Sequence, residues 1–238
     1  MELINQPFTG QLGNRLIGLL DSQDYRTLNI AVAFAKNSGV LRIKDAIERF
    51  RKRGGKVNVC VGVDLGGTSY EALTALLLHT DSLSVVHSEK GQTFHAKIYQ
   101  FLGNDKGLIV VGSHNLTGGG LWTNFESSVL IPVSGASDNE LKLQKELDDY
   151  FRKLTSLKNS FMSIGTQNDI DKLFQNGYIS KEVAEQVRRA KAVTQDGSRD
   201  RLFGNGAPAK LPSVTMPKKK KTAAVSVAPA GPIPVPSS

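Results

Sequence analysis

The chain has 238 residues, enough for one full domain with extensions, and its 39% hydrophobic and 22% charged residues are ordinary for a globular protein. It has no apolar run of the roughly 20 residues that cross a bilayer, and its first residues lack the basic and apolar regions of a secretory signal. A single cysteine, Cys60, excludes an intramolecular disulfide and fits a reducing compartment, so we expect a cytoplasmic protein.

The first 130 residues alternate between strand-like and helix-like patterns. The predicted strands are Leu28–Phe34, Lys56–Val63, Leu83–His87, Phe94–Phe101, Leu108–Gly112 and Glu126–Val133. One predicted helix, Gly39–Arg53, ends at Gly54-Gly55, and a second, Ser69–His79, has Ser69 as its N-cap. Strands separated by helices predict an α/β domain with a largely parallel or mixed sheet.

The pattern changes at Asp138, where leucines and aromatics at helical spacing predict a helix, and Ser180–Ala192 predicts another. The last residues are rich in Pro and Ala, as linkers and tails are. We therefore expect three parts: a catalytic domain at 1–137, a helical extension at 138–193, and a basic, Pro/Ala-rich linker or tail at 194–238.

The net charge of +8 belongs to residues 187–221, which we call the basic arm. The arm holds ten Lys or Arg and two Asp, which leaves twenty basic and twenty acidic residues in 1–186. A basic arm suits a polyanionic partner, because neutralised phosphates release counterions, although a solvated linker explains the charge equally well.

The strand FHAKIYQF contains the first candidate catalytic residues. Because side chains alternate along a strand, His95 and Lys97 are predicted to share one face, where two cationic groups invite an anion such as a phosphodiester. The next strand leads into GSHNLTGGG, in which Asn115 offers two amide hydrogens to a phosphoryl oxygen. Glu126 follows, and its carboxylate is a candidate acceptor for the second imidazole N–H of His95.

These residues carry a family resemblance. H-A-K at 95–97, G-S-H-N-L-T at 112–117 and N-F-E at 124–126 resemble the H-x-K, G-S-x-N-x-T and N-x-E signature of the phospholipase D superfamily, and most closely its BfiI-type and NgoFVII-type restriction endonucleases. Many lipid-acting members carry an aspartate five residues after the lysine; Leu102 stands there, which favours the nuclease branch. The resemblance implies a phospholipase D-like mixed sheet flanked by helices.

The resemblance also implies a mechanism. The family's site combines two motifs and this chain has one, so a homodimer with a composite site is expected. One protomer's His95 would attack phosphorus to give a phosphohistidine, and the other's would protonate the leaving oxygen. Lys97 and Asn115 would stabilise the transition state, without metal or cofactor. The supporting residues are Ser113, Thr117 and Asn124.

Other features have simpler explanations. VDLGGTS at 63–69 lies between a strand and a helix but lacks the phosphate-loop pattern, so a glycine turn is favoured. Trp122 and Phe125 are expected to pack in the core or at a dimer interface. The candidate DNA-binding residues are Arg49, Arg51, Lys52 and Arg53 at a helix end, with Arg188, Arg189, Lys218, Lys219, Lys220 and Lys221 in the basic arm.

The predicted function is thus DNA cleavage, as the catalytic part of a restriction enzyme. The alternatives are a lipid phosphodiesterase and an inactive nucleic-acid-binding homologue. The sequence offers no base-reading motif, so we expect recognition by a separate partner or by a C-terminal domain that is absent from this chain.

Overall fold

One mixed sheet of eight strands organises the computed structural model, which describes residues 1–135, 137–195 and 209–214. The strands are β1 (Glu2–Gln6), β2 (Thr27–Val32), β3 (Lys56–Gly62), β4 (Ser82–Val86), β5 (Lys97–Leu102), β6 (Gly107–Gly112), β7 (Glu126–Val133) and β8 (Phe161–Ser163). Their order across the sheet is β1-β7-β6-β5-β2-β3-β4-β8. Strands β2, β3 and β4 are parallel, and the remaining neighbours are antiparallel.

Helices cover both faces of this sheet. They are α1 (Leu12–Asp21), α2 (Asn37–Lys52), α3 (Tyr70–His79), α4 (Asp138–Thr155), α5 (Gln167–Gln175) and α6 (Glu182–Gln195). The main core lies under α1, α2 and α3, where Leu16, Ile47 and Leu73 pack with strand residues such as Ile30. On the opposite face, Leu147 of α4 packs with residues of β6 and β7.

Local signals explain where the central helices begin and end. The Oγ of Ser69 accepts a hydrogen bond from the Ala72 N–H at 3.1 Å, so Ser69 caps α3 as predicted. Helix α2 stops before Gly54, whose φ of 85° lies in the left-handed region that glycine adopts at little cost. Basic residues in the last turn of α2 complement the helix dipole.

The predicted fold class is confirmed, and the largest shift in a strand boundary is at the start of β5. Strand β5 begins at Lys97, three residues later than predicted, and His95 lies in the extended segment before it. The Asp64 carboxylate accepts the Phe94 N–H at 3.0 Å, so this N–H bonds to a side chain and not to a neighbouring strand.

Several elements were not predicted from the sequence: β1, α1, β8 and α5. Strand β8 lies within the expected helical extension and pairs with β4, so residues of 138–193 also belong to the sheet. The division of the chain at residues 137 and 193 stays a prediction. Among the described residues, no helix is both long enough and apolar enough to cross a membrane.

Candidate active site

The sheet topology brings the predicted catalytic residues to one edge. Strands β5 and β7 begin at this edge, and β6, which pairs with both, ends there. His95 lies just before β5, Asn115 lies just after β6, and Glu126 is the first residue of β7. Strand β2, antiparallel to β5, ends at the same edge and leads into Phe34.

His95 and Lys97 form the first pair of the site. The imidazole of His95 is exposed, and its Nδ1 lies 2.7 Å from the Nζ of Lys97. The Nζ also donates to the His95 carbonyl at 2.9 Å, so Lys97 is fixed by two contacts to one residue. Burial lowers the pKa of Lys97, while the charge of Glu126 opposes that shift. The two side chains are in contact, as residues on one strand face would be, although His95 lies just before β5 and not within it.

A backbone hydrogen bond fixes the orientation of the Asn115 side-chain amide. Its Oδ1 accepts the Phe34 N–H at 3.1 Å, which identifies the oxygen, because a backbone N–H needs an acceptor. Its Nδ2 has no hydrogen-bond partner within the described part of the chain. The two N–H groups of the Asn115 amide are therefore available for hydrogen bonding at this edge.

Glu126 is held by two of the predicted supporting residues. The Ser113 hydroxyl donates a hydrogen bond to Oε2 of Glu126, and Nδ2 of Asn124 donates to Oε1 at 3.2 Å. Within the described residues of one chain, no hydrogen bond joins Glu126 to His95. The predicted contact between that carboxylate and the imidazole stays a prediction.

The glycine-rich turn after Asn115 is tightly packed. The Thr117 Oγ1 accepts the Gly120 N–H at 2.9 Å, so this hydroxyl caps the turn. A Cβ on Gly120 would lie 2.4 Å from the Asn115 carbonyl oxygen, so only glycine allows this approach. A turn of π-helix follows at Gly119–Thr123, an irregularity common near functional sites.

The two aromatic residues of this region have different surroundings. Trp122 is fully buried, and its Nε1 donates to Asn14 at 3.0 Å, which confirms the prediction of core packing for this residue. Phe125 is 66% exposed and packs against Phe8, with ring centroids 5.6 Å apart. This exposed pair lies beside Glu126 on the rim of a shallow depression.

His114 is a buried neighbour of the site. Its side chain is 0% exposed, its Nδ1 lies next to the Ser128 hydroxyl, and burial lowers its pKa to about 4. The Tyr99 hydroxyl donates to its carbonyl at 3.1 Å. His114 is thus a neutral core residue, in agreement with its exclusion as a second nucleophile.

The candidate DNA-binding residues of α2 lie away from this edge. The cluster at 49–53 lies at the far end of α2, because the helix starts at Asn37, close to the turn that follows Asn115. Arg49 pairs with Asp21 at 2.8 Å and Arg51 with Asp81 at 3.0 Å, Lys52 is exposed, and Arg53 donates to two backbone carbonyls.

The basic arm is described only in part. Arg188 is exposed on α6; Arg189 lies on the same helix, and its side chain is outside the described residues, as are Lys218, Lys219, Lys220 and Lys221. DNA binding by all of these residues stays a prediction.

One short part of the C-terminal region packs beside the site. The carbonyl of Pro212 accepts a hydrogen bond from the Arg42 guanidinium of α2 at 2.7 Å. A methyl group of Leu211 lies 3.1 Å from the position that a Cβ on Gly118 would take. Residues 209–214 therefore contact both α2 and the glycine-rich turn.

Sequence reasoning missed some residues of the site. Phe34 binds Asn115 through its backbone, and Gln6 donates from Nε2 to three carbonyls of the turn at 119–124. The end of an apolar strand signalled Phe34, whereas β1, which carries Gln6, had no clear pattern. Within the described ranges, no group of three or more His, Cys, Asp or Glu side chains is placed to hold a metal ion.

The family model described as "Cardiolipin synthase, PLD-like domain" matches residues 17–155, which is more than half of the chain and includes all the predicted catalytic residues. The fold and the site thus define a phospholipase D-like domain. This chain belongs to that family. No curated protein matches it.

Three solved structures are similar to the chain. One is a phospholipase D family member, Nuc from Salmonella typhimurium, with 16% identity, a TM-score of 0.49, and coverage of 69% of this chain and 97% of that one. NucT from Helicobacter pylori has 18% identity, a TM-score of 0.45, and coverage of 63% and 94%. Phosphatidylserine synthase from Haemophilus influenzae has 14% identity, a TM-score of 0.47, and coverage of 79% and 45%.

Proposed function

We propose that this protein is a phosphodiesterase that cleaves DNA without a metal ion, through a phosphohistidine on His95, at a composite site in a homodimer. The observation that carries the proposal is the set of groups at the sheet edge. An exposed imidazole, a lysine Nζ 2.7 Å from it, and an asparagine with its oxygen fixed at 3.1 Å by a backbone N–H all meet there. A nucleophile beside two N–H donors suits attack on a phosphodiester.

The two roles assigned to His95 need two protonation states of its ring. The nucleophile is a neutral imidazole with Nε2 free and Nδ1–H bound to an acceptor, and Glu126 is the candidate acceptor. The general acid is an imidazolium, which gives its Nε2 proton to the leaving oxygen and is then neutral. Two protomers supply both states at once, which one chain with one motif does not.

The proposed reaction balances in two steps. The Nε2 of one His95 forms a bond to phosphorus as the P–O bond breaks, and the leaving oxygen takes the proton of the other His95. That second imidazole then removes a proton from water, whose oxygen attacks phosphorus and releases the first histidine. Lys97 and Asn115 stabilise the negative oxygens in both steps.

The exposed pair Phe8 and Phe125 supports the homodimer. Both rings are more than half exposed, and they lie beside Glu126. Contiguous apolar patches on a protein surface are a common feature of protein–protein interfaces. Pairing through this rim would bring two copies of the catalytic edge together.

DNA as the substrate is supported by the basic arm and by Leu102, which stands where many lipid-acting members carry an aspartate. These features favour the restriction-enzyme branch of the superfamily, with base recognition by another domain or protein. A lipid phosphodiesterase is the second candidate, which the description of the family model favours.

Nicking of supercoiled plasmid in excess EDTA tests the proposal. We expect wild-type protein to nick DNA and leave a phosphatidylglycerol dispersion intact. The His95→Ala variant should lose turnover, whereas His79→Ala, at the far end of α3 and paired with Glu48, should retain it. Sedimentation should give the mass of a dimer for all three proteins. Strict dependence on magnesium, or cleavage by His95→Ala, would defeat the mechanism.

A further inference from the structure

The loop VDLGGTS at 63–69 lies beside the segment that carries His95. It follows β3, leads into α3, and contacts both segments that border His95. We propose that this loop positions the catalytic imidazole, and that Asp64 and Gly67 are its positioning residues. The proposal rests on the function assigned above to His95.

Asp64 holds the segment that carries His95. The Asp64 side chain is buried, and its Oδ2 accepts the N–H of Phe94, the residue before His95, at 3.0 Å. Its Oδ1 lies 2.6 Å from Nδ1 of His87, which fixes the carboxylate in turn. On the other side of His95, the Ala96 carbonyl accepts the Ala33 N–H at 2.8 Å. The backbone of His95 is therefore held between two hydrogen bonds, and Asp64 supplies one of them.

Gly67 acts through the ring of Phe34. A Cβ on Gly67 would lie 1.9 Å from Cδ1 of that ring, an overlap that cannot exist without displacing it. The backbone of Gly67 is ordinary right-handed, with φ −70° and ψ −24°, so its conformation does not require glycine. The space that Phe34 needs is the reason for glycine here.

Phe34 links this loop to two catalytic groups. Its ring meets the His95 imidazole edge-on, with centroids 5.9 Å apart and planes at 77°. Its backbone N–H donates to Oδ1 of Asn115 at 3.1 Å. Displacement of Phe34 would therefore shift the nucleophile and the phosphate-binding amide together.

Thr68 ties the same loop to the residue after Phe34. Its fully buried hydroxyl accepts the Ala35 N–H at 3.1 Å and donates to the Gly62 carbonyl at 2.6 Å. Three residues of the loop thus contact the surroundings of His95. The Asp64 carboxylate binds the segment that carries His95, Gly67 leaves room for the Phe34 ring, and the Thr68 hydroxyl binds the Ala35 N–H.

The Gly67→Ala variant tests the proposal with little change to the backbone. We expect kcat for plasmid nicking to fall about 10–100-fold while KM stays close to wild type, because a displacement near 1 Å is costly to chemistry and not to DNA binding. Gly18→Ala is the matched control, since an added Cβ there meets nothing within 4 Å. Wild-type kcat in Gly67→Ala would overturn the role of Gly67.

A double-mutant cycle separates positioning from general destabilisation. Phe34→Leu should also lower kcat. The double variant Gly67→Ala, Phe34→Leu should have a kcat no lower than that of the less active single variant, because both substitutions act through one ring. Multiplied losses would show that the two residues act independently, against the proposal. If Gly67→Ala does not fold, the kcat of Phe34→Leu still tests whether the Phe34 ring positions His95.

Asp64 is tested by conservative rescue. Asp64→Asn keeps a carbonyl oxygen for the Phe94 N–H and should retain most of kcat, whereas Asp64→Ala should lose it with KM unchanged. Equal losses in the two variants would indicate that the charge of Asp64 matters and not its hydrogen bond, which contradicts the proposal.

The NMR spectrum of the four imidazoles gives a measurement that does not need catalysis. In histidine-labelled protein, the His95 resonances should move in Gly67→Ala while those of His79 stay in place. Unmoved His95 resonances would refute positioning even if activity fell. If wild-type protein cuts no DNA, the proposed function fails, and this spectrum still decides whether the loop positions His95.

Discussion

Asn115 and Glu126 are fixed in a similar way at the residue scale. In each side chain, one oxygen accepts a hydrogen bond from a group of the protein. Oδ1 of Asn115 accepts a backbone N–H at 3.1 Å, and Oε1 of Glu126 accepts an N–H of the Asn124 side chain at 3.2 Å. A side chain that is already oriented loses less freedom when the substrate binds, so its full interaction is available to the transition state. The surrounding turn, with its glycines and the Thr117 cap, holds these orientations.

His114 yields a prediction about pH. Burial lowers its pKa from 6.5 in the unfolded chain to about 4 in the fold. Above pH 6.5 both states are neutral and stability is complete; as pH falls towards 4 the unfolded chain binds more protons, so the free energy of unfolding falls. The expected decrease from this one group is about 2 kcal/mol between pH 7 and pH 5.

Urea unfolding of wild type and His114→Gln at both pH values measures this decrease. The variant should be less stable at pH 7, because the contact with Ser128 is altered, but its stability should change less on acidification. Equal changes in the two proteins would mean that other groups cause the acid sensitivity.

At the element scale, the sequence predicted what had a strong local signal. Helix α3 has an N-cap residue and α2 is followed by two glycines. The predicted ends of both helices lie within two residues of those in the structure. Helix α1 was missed although Leu12, Leu16 and Leu19 have helical spacing, because its N-cap, Gln11, makes no side-chain cap and glycines interrupt it. Strand β8 has only three residues, and pairing with β4 stabilises it more than its own composition.

The same reasoning explains what was found of the site. The motif letters predicted His95, Lys97, Asn115 and Glu126, because spacing along the chain identifies them. The contact of Asp64 with the Phe94 N–H joins residues 30 positions apart, and no periodicity reports it. Contacts that depend on tertiary packing were therefore the ones that the sequence could not predict.

Ser69 gives a prediction at this scale. Its Oγ accepts the Ala72 N–H at 3.1 Å and donates to Oε1 of Glu182 at 2.7 Å, so it caps α3 and also ties it to α6. Ser69→Ala should lower the free energy of unfolding by about 1 kcal/mol, because the cap is removed. Urea unfolding measures this change. Ser69→Asp, which can still cap but would repel Glu182, should be less stable than wild type if the tie to α6 matters.

At the scale of the whole molecule, α6 and residues 209–214 pack against elements that carry the candidate site. Glu182 of α6 accepts the first N–H of α2, from Asn37, at 2.6 Å, and Lys36 pairs with Glu185 at 2.7 Å. Residues 209–214 pack on α2 and on the glycine-rich turn. Truncation after residue 186 would therefore remove packing as well as charge, and substitution is the sharper test of the basic arm.

The last prediction is that Lys218–Lys221 provide much of the nonspecific DNA affinity. Residues 1–186 carry no net charge and these four lysines carry half of the total of +8, so replacing all four by Gln removes charge without removing chain. Binding should weaken at low salt, and the slope of log affinity against log salt should fall by about 0.9 for each phosphate that the variant no longer neutralises. Deletion of the uncharged residues 222–238 is the control and should change neither quantity.

The length of the DNA gives a further check. The first of the four lysines lies only four residues beyond Val214, and residues 209–214 contact α2 and the glycine-rich turn. The weakening should therefore appear on short DNA as well as on long DNA. An unchanged salt slope would show that the arm is a linker and that residues 1–186 bind the phosphates.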